Sequence, residues 1–465
     1  MNTLSEKDTI AAISTPLGEG GIGIVRLSGE SAFDIINQIF SCPKEKENNY
    51  PTPRYLYLGY IKDLKGNVID EVLVAFMPAP KTYTCEDVVE INCHSGIFTL
   101  KTILRLVLES GARPAEPGEF TKRAFINGRI DLSQAEAVLN MTRARSEEAV
   151  KTAARGLQGE LNERIEKIKE MIVQVRAPLE ASFDYPEEFT EETFDYAAIK
   201  QELEEIKQQL EKLLQGVERN RAFQEGVSVA IIGKPNVGKS SLLNALLQQQ
   251  RAIVHEIPGT TRDILEGYMN LGGYPIKLVD TAGIQAGTYD PVEKQGIELS
   301  RKAAEQAKLL IMVTDGSKNL SVADQEIASL KHEGQAMVVA INKSDLERKI
   351  DPDEVARQCS EAKVVETAAV KGEGIKSLED AVTDQLDQIM EPGGESPVIV
   401  SVRHEQVIKE AFECLNNALN VLEIDPLEMV SLELQHANEA LGEITGETVN
   451  EKLLDKIFSE FCLGK

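Results

Sequence analysis

The run Val227-Ser-Val-Ala-Ile-Ile232 passes directly into Gly233-Lys-Pro-Asn-Val-Gly238-Lys239-Ser240, and Ser241-Leu-Leu-Asn-Ala-Leu-Leu247 then begins a helix. No other feature restricts the fold of this chain so strongly. A short continuous apolar run reads as a strand buried on both faces of a parallel sheet. The G-x-x-x-x-G-K-[ST] spacing then turns the chain tightly, so that backbone N–H groups close around phosphate at a helix N-terminus. Asn236, Val237, Gly238, Lys239, Ser240 and Ser241 are the phosphate-loop candidates. Lys239 reaches the outer phosphates, and Ser240 offers its hydroxyl to Mg2+. The competing reading is a Gly-rich turn ahead of an ordinary helix. The strand before and the helix after argue against it.

Two further strand ends carry chemistry. Asp280-Thr281-Ala282-Gly283 closes a second apolar run, where an NTPase holds Mg2+, usually through water. Gly283 leaves room for the γ-phosphate to meet a backbone N–H. Ala336-Met-Val-Val-Ala-Ile341 leads into Asn342-Lys343-Ser344-Asp345. This N-K-x-D is the guanine reader of Ras-like GTPases. Asp345 accepts from the ring N–H and the exocyclic amine, a donor pair that adenine lacks, so adenine leaves an acceptor unpaired. Asn342 braces the loops, and the Lys343 stem covers the base. Ala368-Ala369 stand where Ser-Ala is usual, which keeps the backbone contact to the guanine oxygen and loses any side-chain one. Thr261, in Pro258-Gly259-Thr260-Thr261, is placed to complete the Mg2+ shell with Ser240.

The motifs predict GTP binding and hydrolysis, with one departure. Ras-type enzymes carry a water-orienting Gln directly after D-x-x-G, and here that position is Ile284. Water positioning is therefore sought among Asp290, Glu293 and Glu298, and positive charge from a bound monovalent cation.

Around this segment the periodicity changes. Residues 22–27, 72–76 and 88–93 read as strands and 98–108 as a helix stopped by Gly111. Leu157, Leu161, Ile165, Ile168, Ile172, Val175 and Leu179 form one helical stripe, and Ile199 to Leu213 another. Val449, Leu453, Ile457 and Phe461 recur every four residues near the end. The expected fold class is multidomain α/β. An α+β domain spans 1–119, a helical domain 120–220 and 385–465, and a Ras-like doubly wound domain 221–384 is inserted between its halves. The helices on either side of the insert are expected to pack on each other.

At 465 residues, about three domains are expected. The net charge of −26 makes the chain a poor independent binder of polyanions. Lys122, Arg123, Arg129, Arg143, Arg145, Lys151 and Arg155 concentrate positive charge, read as divided between helix solvation and contacts to anions or RNA phosphates. The six Cys lack a C-x-x-C, and the five His offer no zinc set. The polar start and the lack of a membrane-length apolar run suggest a cytoplasmic protein without a membrane contact.

Beyond the nucleotide motifs, the chain resembles the MnmE/TrmE family of tRNA-modification GTPases from end to end. The resemblance rests on Asp8-Thr-Ile-Ala-Ala-Ile-Ser-Thr-Pro16, Gly20-Gly-Ile-Gly-Ile-Val-Arg26, the segment Pro117-Gly-Glu-Phe-Thr-Lys-Arg-Ala-Phe-Ile-Asn-Gly-Arg129 with its continuation to Glu136, and the closing Cys462-Leu-Gly-Lys465. It implies a homodimer through amino-terminal folate-binding-like domains. Each would bind a tetrahydrofolate derivative of the 5-formyl or methylene type, with Arg26, Glu90, Arg129 and Lys465 at the site. It implies an FAD-containing MnmG partner, in a heterotetramer, and tRNA as substrate of the complex. The product would be a carboxymethylaminomethyl-type group at carbon 5 of the wobble uridine. It also implies K+ between Asn236 and the His255-Glu256-Ile257-Pro258-Gly259-Thr260 loop, with His255, Ile257 and Thr260 as ligands. Glu293 would be the catalytic glutamate and Cys462 a catalytic thiol. Departures are a loop to Glu293 that is one residue longer than usual, His255 for a small polar residue, Cys85 for Gly and Ser95 for Gly.

Cys462 also reads as a frayed tail thiol. Gly464 and Lys465 fit a prenylation box poorly, and lipidation is rejected. His94 reads as a structural residue at a strand end. The alternative function is a regulatory GTPase of ribosome assembly, which would append a small RNA-binding module; none is recognisable.

Overall fold

The structure, a computed structural model, describes residues 8–42, 51–144, 146–185, 195–215, 217–249, 268–278, 301, 304–305, 307–332, 334–359, 362–389, 401–422 and 426–465. The chain divides into two compact units. One comprises Met1–Leu139, Leu157–Phe194 and Glu413–Lys465, the other Asn140–Gly156 and Asp195–Phe412.

The first unit holds a seven-stranded sheet of β1 (Ile10–Ile13), β2 (Gly20–Ser28), β3 (Phe40–Ser41), β4 (Leu56–Lys62), β5 (Val68–Met77), β6 (Val88–Ser95) and β7 (Arg113–Pro114), in the order β3-β4-β5-β6-β2-β1-β7. Neighbours are antiparallel except β1 and β7. Alternate residues face one core: Val25 and Leu27, Val72, Val74 and Phe76, Val89, Ile91 and Cys93. Helices α1 (Ala32–Ile39) and α2 (Ile97–Glu109) cover that face with Ile35, Ile36, Leu100 and Ile103. The three predicted strands and the predicted helix fall inside β2, β5, β6 and α2.

Helices α3 (Glu119–Ile126) and α4 (Leu132–Arg143) follow the sheet. The stripe from Leu157 to Leu179 is not one helix. Leu157 ends helix α5 (Glu147–Leu157), Gly159 takes φ +85, and α6 (Glu160–Asp184) starts afresh. The left-handed glycine breaks the ladder that periodicity alone carries across. From Leu161 to Leu179 the stripe is buried as predicted. Helix α6 packs on a helix from the far end of the chain, Leu427–Thr445. Arg176 donates to Ser431 Oγ at 3.2 Å and to Gln435 Oε1 at 3.0 Å, and Lys169 pairs with Glu447 at 2.6 Å. The last helix, Glu451–Ser459, contains only Leu453 and Ile457 of the predicted stripe. Phe458, which the four-residue spacing passes over, is more deeply buried than either, and with Ile457 and Phe461 it packs on Leu132, Ala135 and Leu139.

The second unit holds β8 (Val227–Ile232), β9 (Tyr268–Leu271), β10 (Tyr274–Leu278), β11 (Leu309–Asp315), β12 (Ala336–Asn342) and β13 (Lys363–Thr367), in the order β13-β12-β11-β8-β10-β9. All pairs are parallel except β9 with β10. One face packs Val229, Ile311 and Val338 on Leu242 and Leu246 of α9 (Lys239–Gln249) and on Leu378 and Val382 of the helix Ile375–Ile389. The other packs Ala230, Ile232, Leu310 and Met312 on Ile327 of the helix Val322–Ala328 and Val355 of the helix Pro352–Gln358. Cores on both faces make the sheet doubly wound. β11 lies at its centre, buried throughout. Among the described residues, no helix is long and apolar enough to cross a membrane.

In the first unit an ion cluster ties α3 to the sheet edge. Arg113 meets Asp8 at 2.7 Å and Glu119 at 2.6 Å, and Arg123 meets Asp8 at 2.6 Å and Glu119 and Glu86 at 3.1 Å. Burial alone raises the Glu119 carboxyl. Hydrogen bonds from Arg113, the Glu116 N–H and Arg123 outweigh it and hold the group below its ordinary 4.5. Asp8 is likewise held below 3.8, its burial outweighed by Arg113 and Arg123. A depressed carboxyl stabilises the fold fully above its unfolded value and loses that contribution as pH falls through its folded one. Glu119→Gln is therefore expected to destabilise the protein at pH 7 by ~1–3 kcal/mol, with the gap to wild type closing below about pH 4. Thermal unfolding across pH measures this; a constant gap down to about pH 3 contradicts it.

Candidate functional site

The loop between β8 and α9 is built against its neighbours. Gly233 takes φ +149, and a Cβ there would run into the Val313 carbonyl of β11. Asn236 is left-handed at φ +62. Lys239, in the first turn of α9, donates to the carbonyls of Gly233 and Lys234, both at 2.7 Å. Burial lowers the Lys239 pKa. An anion is the natural partner for such an ammonium, because it restores what desolvation removes. Lys234 pins the loop from outside, meeting Asp324 at 2.7 Å and Ser321 Oγ at 2.9 Å.

Asn342 closes β12 and is 2% exposed. Its Nδ2 donates to the Val237 carbonyl at 2.9 Å, and its Oδ1 accepts from the Ala369 N–H at 3.0 Å and Thr367 Oγ1 at 3.3 Å. Gly238, at φ +103, leaves the space that Asn342 Nδ2 occupies. One side chain thus joins the phosphate loop, the N-K-x-D strand and the Ala368–Ala369 turn. Lys343 adds a second tie, donating to the Asn236 carbonyl at 3.0 Å and pairing with Asp315 at 2.7 Å. Burial raises the Asp315 carboxyl, but bonds from Lys343 and Ser317 outweigh it and hold the group below its usual range. Asp345 lies beside this body, with Lys371 at 3.4 Å. Ser344 is fixed by its N–H to the Thr367 carbonyl at 3.0 Å.

The structure therefore brings Asn236 to Ser241 together with Asn342 to Asp345 and Ala368–Ala369. His255, Glu256, Ile257, Pro258, Gly259, Thr260, Thr261, Asp280, Thr281, Ala282, Gly283, Ile284, Asp290, Glu293 and Glu298 lie outside the described residues. Asp315 was not singled out in the sequence. The signal for it is a carboxylate ending the apolar run Leu309–Thr314, at the same edge where β12 ends in Asn342.

The first unit carries a second candidate site, a cavity of about 280 Å³ lined by Arg26, Met77, Tyr83, Val88, Glu90, Val138 and Lys465. Arg26 Nε donates to Glu90 at 2.9 Å. Arg129 stands behind the wall, donating to the Tyr83 carbonyl at 3.1 Å with its guanidinium 4.8 Å from the Tyr83 ring centre. Cys462 is exposed. Of the basic residues at 122–155, Lys122 pairs with Asp455 at 2.7 Å, Lys151 with Glu148 at 2.7 Å, and Arg123 belongs to the ion cluster. Arg145 lies outside the described residues. His94 is the last residue but one of β6, with Nδ1 2.7 Å from Asp70.

A phosphate loop and an N-K-x-D motif at one edge of a doubly wound sheet define a P-loop guanine-nucleotide domain, the core of a GTPase. Residues 9–129 match the GTP-binding protein TrmE N-terminus, and residues 132–462 match the MnmE helical domain. The tRNA modification GTPase MnmE of Carboxydothermus hydrogenoformans is 45% identical over 463 residues, 99% of this chain and 100% of the relative. That of Bacillus subtilis is 44% identical over 460 residues, 98% of this chain and 100% of the relative. The chain belongs to the MnmE family of GTPases.

If Asp345 accepts from guanine's two donors, Asp345→Asn is expected to weaken GTP binding about a hundredfold or more, the order seen when a built polar match is lost. Xanthosine triphosphate, whose ring oxygen accepts the Asn N–H, is expected to bind the variant better than GTP does. Unchanged GTP affinity in an equilibrium titration contradicts the assignment.

Proposed function

We propose that this protein hydrolyses GTP as one component of a tRNA-modifying complex. The complex would install a carboxymethylaminomethyl-type group at carbon 5 of the wobble uridine, using a folate one-carbon carrier. The observation that carries the reading is the pairing, in one chain of this family, of the braced nucleotide edge with a cavity lined by Arg26, Glu90 and Lys465. The domains are taken as 1–119 for folate and dimerisation, 120–220 with 385–465 as the helical domain, and 221–384 for GTP.

The residues suit the groups they would hold. In the nucleotide domain the half-buried Lys239 would take phosphate, and Ser240 beside it would bind Mg2+ together with Thr261, with Asp280 behind water. Mg2+ supplies charge neutralisation on the phosphates. K+ would take Asn236, His255, Ile257 and Thr260 and supply the positive charge that an arginine finger gives elsewhere. Glu293 would orient water, since Ile284 lacks any polar atom. The cavity volume of about 280 Å³ is near the lower end for ligand pockets. Glu90 would accept from the amino and ring N–H groups of the carrier's pterin-like ring, and Arg26, Arg129 and Lys465 would meet its carboxylates. Cys462, exposed three residues before Lys465, would act in the modification chemistry. The functional assembly would be a cytoplasmic homodimer joined by the FAD-containing MnmG subunit. With a net charge of −26, the partner would carry most of the contact to tRNA.

Hydrolysis is expected to run faster in potassium than in sodium at equal ionic strength, and Glu293→Ala is expected to lower turnover while leaving GTP affinity nearly intact. One rate in both salts, or a crippling Gln285→Ala, contradicts this mechanism.

Cys462→Ser is expected to keep GTP hydrolysis within about twofold, under 0.5 kcal/mol in barrier terms, because the nucleotide edge uses none of its atoms. Wobble-uridine modification is expected to be lost. Nucleoside analysis of tRNA from a complemented deletion strain reads this out; normal modification makes Cys462 a passive tail residue.

A further inference from the structure

Residues 463–465 contribute Lys465 to the cavity wall, and the structure shows what holds them there. Ser14 Oγ donates to the Gly464 carbonyl at 3.1 Å. Arg26 Nη1 reaches the same oxygen at a longer 3.4 Å, while its Nε and Nη2 meet Glu90 at 2.9 and 2.8 Å. Gly464 takes φ +86, and a Cβ there would run into the Ile13 carbonyl and lie 2.9 Å from Ser14 Cα. The backbone of Gly464 therefore lies flat on the end of β1. Ser14 is itself fixed, because its N–H donates to the Ile24 carbonyl at 2.8 Å.

We propose that Ser14 and Gly464 form a latch that positions Lys465 in the wall of the cavity, a role that rests on the reading of this cavity as a site for an anionic one-carbon carrier. Neither residue lines the cavity; both act through Lys465. The reason a latch is needed is entropic. A lysine at the end of a segment with exposed Leu463 and Cys462 has many rotamers and backbone states to lose when a ligand carboxylate meets it. A segment already ordered by the sheet removes that loss from the binding step. Arg26 cannot hold the segment alone, because its guanidinium is committed to Glu90 and faces the ligand space. The bond from Ser14 is the part of the latch that ligand binding leaves untouched. Gly464 is the part that permits it, because any side chain there pushes the carbonyl off the Ser14 hydroxyl.

The test uses the full chain with Ser14→Ala, Ser14→Thr and Gly464→Ala. Binding of 5-formyltetrahydrofolate is followed by calorimetry, and hydrogen exchange of the peptide holding residues 463–465 by mass spectrometry. Ser14→Ala is expected to weaken binding roughly fivefold and Gly464→Ala roughly tenfold or more, while Ser14→Thr, which keeps the hydroxyl, stays within about twofold. Exchange at residues 463–465 is expected to quicken in the two weakened variants and not in Ser14→Thr. GTP affinity, measured on the same preparations, is expected to stay at the wild-type value and reports that each variant is folded. Wild-type affinity and wild-type exchange in both Ser14→Ala and Gly464→Ala overturn the latch. If the wild type itself fails to bind 5-formyltetrahydrofolate, the reading of the cavity fails instead, and the exchange rates alone then support the latch or overturn it.

Discussion

The nucleotide edge depends on one buried amide. Asn342 donates to Val237 and accepts from Ala369 and Thr367, so three bonds from one side chain at the end of β12 tie the loop after β8 to the end of β13. At 2% exposure, water cannot replace those bonds, and each broken one leaves a desolvated group. The geometry explains the glycine beside it. Gly238 must lack a Cβ because Asn342 Nδ2 stands where that atom would be. The phosphate loop and the N-K-x-D strand are therefore one construction, and a Gly at one motif and an Asn at the other are two halves of a single contact.

Lys343 and Asp315 extend the same logic. A left-handed Lys343 at φ +64 carries its stem across the edge and brings its ammonium to the Asn236 carbonyl. Its counter-charge is the carboxylate of Asp315 on the neighbouring strand, 5% exposed. A half-buried pair of this kind adds little net stability, since desolvation of the carboxylate offsets much of the attraction. What it fixes is position: with the ammonium held between a carbonyl and a carboxylate, the stem has one course to follow.

Much of this was legible from residues whose chemistry is local. Strand β8 spans the predicted 227–232, because an apolar run stopped by Gly233 can end in only one place. The N-K-x-D motif could be placed because it too ends a buried strand. β11 was not singled out, although Leu309–Thr314 is as apolar as its neighbours, because no motif followed it to attract notice; its Asp315 went unseen with it. The stripe from Leu157 failed for a different reason. Periodicity reports which residues face inward, but Gly159 at φ +85 interrupts the backbone without disturbing the pattern. Phe458 was missed because a four-residue spacing selects one line on the helix, whereas the buried face is wider and includes its neighbour Ile457. The cavity's Arg26, Glu90 and Lys465 lie far apart in the chain, and local patterning could not join them. Only the resemblance to a family grouped them, and the fold now gives the grouping a volume.

The basic stretch at 122–155 shows what charge counting leaves open. In a chain of net charge −26, its cations looked available for an external anion. In the structure Arg123 sits among Asp8, Glu86 and Glu119, Lys122 on Asp455 and Lys151 on Glu148. A cation so engaged contributes little to counterion release from a polyanion, because its charge is already balanced before the encounter. Arg26 is balanced in the same way by Glu90, yet the pair lines a cavity together with Lys465. Glu90 there does two things at once. It holds Arg26 in place, and it offers an acceptor to any ligand N–H that enters. Charge pairing thus balances the cations of α3 within the protein, while at the cavity it leaves a carboxylate and a guanidinium side by side on the wall.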